Sequence, residues 1–374
     1  MKKYLFALLG ILLMQWNVLY AQVPVDTTKA EPMSWYQAMR QTKYEWYVSK
    51  QARNVGDSIV KYQLPSGGWA KNQDWGLGPD TVYMQDCFRT GIGSTIDNGA
   101  TCQELRFLAK MYYYTNLIDY RIAFLNGMEF LLKMQYENGG WPQYYPSRGE
   151  GHYSNHITFN DNAMVNVMNF LLEVSKNGEP YDMLWLPKDL LERCKNAYDK
   201  GVECILKCQI IVDGQPTVWC QQHDEVTFKP AGGRAYELPS FCGTSETANI
   251  LQVLYAQPNQ RDERLIMAID GAIRWLENHK IEGKAIEHYT NKEGKPDIRL
   301  VDRPGAPDMW ARFYDLISGE PMFCGRDGVP HKKVEEIEYE RRTGYSWFGT
   351  EPAELIKYHS QWEAYILDSY KMEE

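Results

Sequence analysis

Apolar residues follow a helical period in three separate stretches of the chain. Residues 101–114, 162–174 and 246–255 each place apolar side chains at positions i, i+3, i+4 and i+7. This spacing puts the apolar side chains on one face of a helix, so each stretch predicts an amphipathic helix. Strand signals are few and are confined to residues 210–212 and 217–219. The pattern therefore predicts an all-α protein with minor β-structure in its loops.

Further helical stretches belong to a degenerate repeat of about seventy residues. Two copies run from a helical pattern into Gly-Gly-Trp, at residues 67–69 and 139–141. A third copy reaches Trp219 after a longer turn, and a fourth, at residues 270–276, keeps the helix but loses the Gly-Gly-Trp. Helix pairs that cannot bury their apolar faces alone stack on their neighbours. The repeat predicts an incomplete α/α toroid, a ring of paired helices with long loops at one end.

Polar residues that could take part in catalysis or binding lie in the loops of this repeat. Asp97-Asn98 and Asp161-Asn162 come just before two of the helical patterns, and Arg234 lies in a polar, aromatic loop without periodicity. The repeat places Asp97, Asp161 and Arg234 at equivalent positions in three successive units, so we expect them to converge at one mouth of the ring. Helix N-capping is the alternative role for the two aspartates.

Composition limits the possible ligands. The 374-residue chain has a net charge of −9, which argues against a general nucleic-acid binder. An acidic polymer would need local cations or a bound metal to bind to such a chain. The 12 tryptophans and 26 tyrosines are typical of exported proteins that handle sugars. The tryptophans at the repeat positions are more simply explained by helix packing than by sugar stacking.

The first residues have the features of a signal peptide. Lys2 and Lys3 precede an apolar run at residues 4–14, and Ala21 offers a small residue for cleavage. The run is too short to span a bilayer. We therefore expect residues 1–21 to be removed and residues 22–374 to form one exported domain, periplasmic or secreted. Eight cysteines permit disulfides in such a protein without requiring a disulfide scaffold.

Other cationic side chains offer further contacts to an anionic ligand. Arg312 and Arg326 could each bind a carboxylate through the guanidinium fork, or could form ion pairs with Asp315 or Asp327. Lys71, after Gly-Gly-Trp-Ala, could bind substrate or simply be solvated. His223 could act as a base, or could hydrogen-bond inside an ordered loop.

Several of these motifs, in this order, resemble the pectate lyases of polysaccharide lyase family ten. They span roughly residues 50–350 and comprise Lys71-Asn72 after Gly-Gly-Trp, Ile96-Asp97-Asn98-Gly99-Ala100-Thr101, Phe159-Asn160-Asp161-Asn162-Ala163, Trp219-Cys220-Gln221-Gln222-His223-Asp224, Arg234-Ala235-Tyr236-Glu237, Trp310-Ala311-Arg312-Phe313-Tyr314-Asp315 and Gly325-Arg326-Asp327-Gly328. Each motif alone is weak, whereas the ordered set is specific. Gly232-Gly233 and Phe241-Cys242 depart from the family pattern and affect the shape of the central loop.

The resemblance implies an α/α toroid that uses calcium to cleave polygalacturonate by β-elimination, giving 4,5-unsaturated oligogalacturonides by endo-type action. It implies roles for the matching residues: Arg234 as the Brønsted base with Asp97 beside it in the active centre, Asp97, Asn98 and Asp161 as ligands of calcium or substrate, and Arg312, Arg326, Lys71, Tyr236 and His223 as substrate-binding residues. Calcium prefers hard oxygen ligands such as these carboxylates and amides.

An arginine base requires an explanation, because a free guanidinium is essentially never deprotonated. Calcium and neighbouring arginines would lower the pKa of Arg234, since like charges disfavour the charged form. This hypothesis predicts an alkaline pH optimum.

Three other functions compete with elimination. A toroidal glycoside hydrolase on an acidic polysaccharide would use Asp97 and Asp161 as acid and base. Terpene cyclases and prenyltransferases also combine Gly-Gly-Trp repeats with α/α rings, but they need a clustered acidic motif or a zinc set, and neither is evident. The last alternative is a carbohydrate-binding protein that kept the fold and lost turnover.

Overall fold

The structure is a computed structural model that describes residues 31–371. The predicted signal peptide, residues 1–21, lies outside the described residues. Within residues 31–371, no helix combines the length and the apolar character that crossing a membrane requires.

Helices dominate the described chain. The α-helices are α1 Trp35–Ala38, α2 Tyr44–Tyr47, α3 Lys50–Lys61, α4 Thr81–Thr90, α5 Cys102–Thr115, α6 Ile118–Lys133, α7 Ala163–Ser175, α8 Lys188–Cys208, α9 Ser245–Tyr255, α10 Glu263–Asn278, α11 Tyr339–Gly344 and α12 Pro352–Lys371. Short 3-10 helices lie at Asp97–Gly99, Tyr153–Asn155, Asn160–Asn162, Asp182–Leu184 and Val334–Glu336. The three helices predicted from apolar periodicity are α5, α7 and α9, with ends within one residue of the expected ones.

Within residues 31–371, strands form only two-stranded antiparallel sheets. They are β1 Ile157–Thr158, β2 Ile211–Val212, β3 Gln215–Pro216, β4 Gln222–His223, β5 Ser240–Cys242, β6 Lys284–Thr290, β7 Pro296–Asp302, β8 Trp310–Ala311, β9 Phe313–Asp315, β10 Phe323–Cys324, β11 Pro330–His331 and β12 Phe348–Gly349. The pairs are β1 with β4, β2 with β3, β5 with β9, β6 with β7, β8 with β12, and β10 with β11. The expected strand at 217–219 is not formed, and the longest hairpin, β6–β7, was not predicted.

The helices form two concentric layers of a partial ring. In the inner layer α5 contacts α7, and α7 contacts α9. In the outer layer α3 contacts α6, α6 contacts α8, and α8 contacts α10. Helix α12 packs on both α9 and α10 at one end of the arc. This is the predicted incomplete α/α toroid.

Repeated tryptophans tie each outer helix to the loop that follows it. The indole N–H of Trp69, Trp141 and Trp219 donates to a carbonyl in the last turns of the preceding outer helix, at Ile59, Leu131 and Ile205. Each of these rings is fully buried. In the fourth repeat Trp310 makes the same bond to Leu276, although 34 residues separate the two. The fourth repeat therefore replaces the missing Gly-Gly-Trp with a distant tryptophan.

Repeated glutamines join neighbouring repeats. Gln63 follows α3, and its side-chain amide donates to the carbonyl of Gly67 in its own loop and to that of Ala123 in the next outer helix, both at 2.8 Å. Gln135 makes the equivalent pair of bonds to Gly139 and Ala197, and Gln209 to Thr217 and Ala268. Each glutamine thus ties its own loop to the interior of the next outer helix and holds the loops at one end of the toroid.

Candidate active site

The loops before α5 and α7 adopt the same backbone shape. Asn98 (φ 53°, ψ 28°) and Asp161 (φ 51°, ψ 30°) both lie in the left-handed region, each at the centre of a short 3-10 helix. Asp97 therefore corresponds to Asn160, and Asn98 to Asp161. The predicted equivalence of Asp97 and Asp161 is wrong by one residue, because the Asp-Asn steps align in sequence but not in conformation. The two loops contact each other, as the repeat predicts.

Asp97 is buried at the bottom of the first loop. Its Oδ2 forms an ion pair with Lys71 Nζ, and its Oδ1 is buried without a hydrogen-bond partner. Beside it, the amide of Asn98 donates to Asn72 Oδ1 at 2.9 Å. One polar group at the mouth therefore contains Lys71, Asn72, Asp97 and Asn98. Lys71 is paired rather than simply solvated, and the Asp97 side chain contacts Lys71 rather than capping a helix.

Arg312 connects the second loop to α9. Its Nη2 donates to Asp161 Oδ1 at 2.9 Å and to Asn160 Oδ1 at 3.2 Å, and it forms an ion pair with Glu246. Burial favours the neutral form, but the charges of Glu246 and Asp161 outweigh it and hold the pKa of Arg312 well above its ordinary value. Arg312 thus already binds carboxylates of the protein, where the sequence predicted a carboxylate of the substrate.

Arg234 is bonded to Glu237, three residues further along the loop. Its Nε donates to Glu237 Oε2 at 2.9 Å, its Nη2 pairs with Oε1, and its backbone N–H donates to Oε2 at 3.0 Å. Burial alone would lower the pKa of Arg234, but the bonds to Glu237 raise it above its ordinary value. The predicted lowering of the Arg234 pKa by neighbouring cations is therefore not found, because a carboxylate is the charge nearest to the guanidinium.

Tyr345 joins the two arginines. Its hydroxyl donates to Glu237 Oε1 at 3.1 Å, and the guanidinium carbon of Arg312 lies 4.6 Å from the centre of its ring. Arg234, Glu237, Tyr345 and Arg312 therefore form one continuous chain of contacts. The loops of repeats two and three, whose backbones pair in β1 and β4, are thus also linked through Tyr345 and Arg312.

Arg326 and Tyr236 lie beside the Arg234 loop. Tyr236 is 5% exposed, and its ring has Arg234, Arg326 and Arg341 within 4.9, 5.7 and 4.6 Å of its centre. Arg326 is exposed and forms a two-point ion pair with Glu340, rather than with Asp327. The sequence prediction that both contact substrate is not tested by the structure, which places Arg326 at the rim and Tyr236 beneath three guanidinium groups.

His223 is a structural residue, and its assignment as a substrate-binding residue is corrected. The side chain is fully buried in β4. Its Nδ1 bonds to the carbonyl of Phe228 at 2.8 Å, and its Nε2 accepts the backbone N–H of Cys220 at 3.0 Å. Burial lowers the pKa of His223 to about 4, so the ring is neutral and both nitrogens are used. It holds the loop that carries Arg234.

The residues predicted to hold calcium fit such an ion in donor type. Asp97 Oδ1 is a buried carboxylate oxygen with no partner, and Asn98 and Asp161 add an amide and a carboxylate in the adjoining loop positions. Among the described residues, the groups of His, Asp and Glu whose ligand atoms lie within 4.8 Å of one another are His156, Asp224 and Glu225, and Asp270, His359 and Glu363. Neither group includes Asp97 or Asp161.

Three residues of this site were not assigned from the sequence. Glu237 stands three residues after Arg234, a spacing that could have indicated a pair within one turn. Glu246 lies in the first turn of α9, where an acidic residue is also typical of any helix N-terminus. Tyr345 has no local signal, since it is more than a hundred residues from Glu237 in the chain.

Comparisons with known proteins agree with this geometry. The family model described as pectic acid lyase matches residues 63–356. A family 10 polysaccharide lyase from Cellvibrio cellulosa is 32% identical, with a TM-score of 0.71, over 87% of this chain and 94% of that chain. An aspartate-to-alanine mutant of the family 10 lyase from Cellvibrio cellulosa, in complex with trigalacturonic acid, is 31% identical with a TM-score of 0.69, over 86% of this chain and 99% of that one. A comparison with curated proteins finds no significant match.

Proposed function

This chain belongs to the pectic acid lyase family, family 10 of the polysaccharide lyases, and from that premise we propose that it cleaves polygalacturonate by calcium-dependent β-elimination with Arg234 as the base. The complex of a related lyase with trigalacturonic acid supports the choice of substrate. The observation that carries the proposal is the chain of contacts that joins Arg234 to the Asp161–Arg312 ion pair through Glu237 and Tyr345.

Elimination removes the C5 proton of a uronate and expels the oxygen on C4. The electron pair of the broken C5–H bond forms the C4–C5 double bond, and the leaving oxygen takes up a proton. The C5 proton is only weakly acidic, so the reaction needs both a base and stabilisation of the negative charge that develops on the carboxylate. The second need explains why cationic groups surround the mouth.

Arg234 is the residue best placed to accept the proton. About a third of its side chain is exposed at the mouth, whereas Arg312 is buried among carboxylates. The bond to Glu237 orients the guanidinium but opposes loss of its proton. We propose that an alkaline pH supplies the neutral form, and that Glu237 sets how alkaline the medium must be.

Lys71 and Arg312 supply fixed positive charge next to the site. Lys71 neutralises one oxygen of Asp97, and Arg312 binds Asp161. Asp97, Asn98 and Asp161 would hold the calcium ion through their side-chain oxygens. When bound, calcium supplies Lewis-acid stabilisation of the substrate carboxylate. We further propose that the protein is exported, with residues 1–21 as its signal peptide.

The test is the ultraviolet absorbance of unsaturated uronate, formed on polygalacturonate at alkaline pH with calcium and then with excess chelator. We expect a calcium-dependent rise that Arg234→Ala abolishes and Arg193→Ala leaves unchanged. Arg193 is an exposed arginine paired with Glu129 on the outer helices, so it controls for loss of a charge. New reducing ends without the chromophore would mean hydrolysis and would contradict the proposal.

A further inference from the structure

Arg148 differs from the other cations at the mouth because it has no acidic partner. Lys71, Arg234, Arg312 and Arg326 each form an ion pair with a carboxylate of the protein. Arg148 is exposed, and no ion pair joins it to any carboxylate of residues 31–371. Its guanidinium carbon lies 3.7 Å from the centre of the Tyr144 ring instead. A guanidinium stacked on an aromatic face keeps its N–H groups free for a planar anion.

The loop around Arg148 is ordered by its own hydrogen bonds. The hydroxyl of Ser147 donates to Asn155 Oδ1 at 2.7 Å and accepts the backbone N–H of Gly149 at 3.1 Å. The amide of Asn155 donates to the carbonyl of Gly149 at 2.8 Å. These bonds close the loop on both sides of Arg148. A preorganised side chain loses less freedom when it binds a ligand.

Tyr144 places Arg148 next to the reacting residues. The backbone of Tyr144 pairs with Thr95, and the carbonyl of Gln143 accepts the N–H of Ile96 at 3.2 Å, immediately before Asp97. Burial raises the pKa of Tyr144, and the charges of Arg148, Asp97 and Arg234 all act on its hydroxyl. Tyr144 therefore links Arg148, which stacks on its ring, to the backbone segment that leads into Asp97.

We propose that Arg148 binds a carboxylate of an acidic polysaccharide, as a substrate-binding residue beside the active centre. The proposal rests on the proposed function for the identity of the polymer, but the binding step needs no turnover. The substrate brings a planar carboxylate on each uronate unit, and the fork of an arginine binds such a group at two points. No carboxylate of the protein has to be displaced first.

The experiment compares Arg148→Gln with Arg89→Gln. Arg89 is an exposed arginine on α4 that pairs with Asp86. Both variants lose one positive charge, so Arg89→Gln controls for that loss. Steady-state kinetics on polygalacturonate should show KM about tenfold higher in Arg148→Gln with kcat within about twofold, as expected for one charge-assisted bond. Arg89→Gln should match the parent. Arg148→Lys should recover only part of the affinity, because lysine lacks the planar fork.

Calorimetric titration of galacturonate oligomers into Arg234→Ala and into Arg234→Ala/Arg148→Gln measures binding without cleavage. The double variant should bind about tenfold more weakly, and this difference should vanish for methyl-esterified oligomers, which lack the carboxylate charge. Equal affinities, the same loss on esterified oligomers, or no binding by Arg234→Ala would overturn the proposal. If binding is tight and depends on Arg148 but the parent enzyme releases no chromophore, the binding role of Arg148 is supported and the proposed elimination is refuted.

Discussion

Arg234 and Arg312 are both bonded to a glutamate, yet their surroundings give them different chemistry. Arg312 has 8% of its side chain exposed and contacts two carboxylates, Asp161 and Glu246. Arg234 has 34% exposed and contacts one, Glu237. The two carboxylates outweigh the burial of Arg312 and keep it a permanent cation, while a third of the Arg234 side chain remains exposed at the mouth. The comparison teaches that exposure and the number of anionic neighbours separate the proposed base, Arg234, from a fixed charge.

The largest expected effect is a loss of activity when Arg234 is removed. Arg234→Ala should reduce kcat by about a thousandfold, since a positioned general base contributes ~10²–10⁴-fold. Its melting temperature should also fall, because the change leaves the buried carboxylate of Glu237 without its cation. Assays of chromophore release, together with thermal denaturation, check both expectations. A loss below tenfold would remove Arg234 from the role of base.

Removing a carboxylate from Arg312 should destabilise the fold. Glu246→Ala leaves a buried guanidinium with one acidic partner fewer, which costs ~3–5 kcal/mol when a buried pair is broken. The control is Glu203→Ala, which breaks an exposed pair with Arg264 worth ~0–1 kcal/mol. Denaturant unfolding measures both. Equal costs would show that burial does not distinguish the two pairs.

The lowered pKa of His223 predicts that the free energy of unfolding declines in mild acid. Its folded pKa of about 4 lies below the ordinary 6.5, so the unfolded chain binds a proton that the folded protein does not. The contribution is present above pH 6.5 and is lost as pH falls from 6.5 to 4, by about 3 kcal/mol. In His223→Gln the unfolding free energy should change less over this window, measured against the parent. Parallel curves would contradict the neutral buried ring.

The smallest expected effect is a shift of the pH profile when Glu237 loses its charge. Glu237→Gln removes the charge that raises the pKa of Arg234, so the neutral form should appear at lower pH. The rising limb of kcat/KM should move to lower pH by about one unit. Profiles of parent and variant over the alkaline range check the direction. A shift to higher pH would show that Glu237 does not oppose deprotonation.

Much of the scaffold followed from local patterns in the sequence. Helices α5, α7 and α9 were predicted from apolar spacing alone, because each buries one face against neighbouring helices. The hairpin β6–β7 was missed because its residues are largely half-exposed and lack a clear apolar alternation. The fourth tryptophan was missed because Trp310 lies far from Leu276 in the chain.

The meeting of the candidate loops was predictable from the repeat, whereas the contacts between their side chains were not. The repeat brought the Asp97, Asp161 and Arg234 loops to one end, because each loop follows an outer helix. It could not show that Asp161 and Arg312 bind each other, or that Tyr345 joins Arg312 to Glu237. Those contacts depend on where three distant loops meet. His223 shows the converse, since an imidazole that could have been a base hydrogen-bonds inside the loop with both of its nitrogens.

Chemical rescue of Arg234→Gly tests most directly whether the neutral Arg234 side chain takes the C5 proton. Small guanidines and amines of different pKa would be added to the variant with polygalacturonate and calcium, and chromophore release would be followed. The account predicts that elimination returns in proportion to the concentration of free base. Rescue that follows the protonated form instead, or a variant as fast as the parent, would contradict Arg234 as the base.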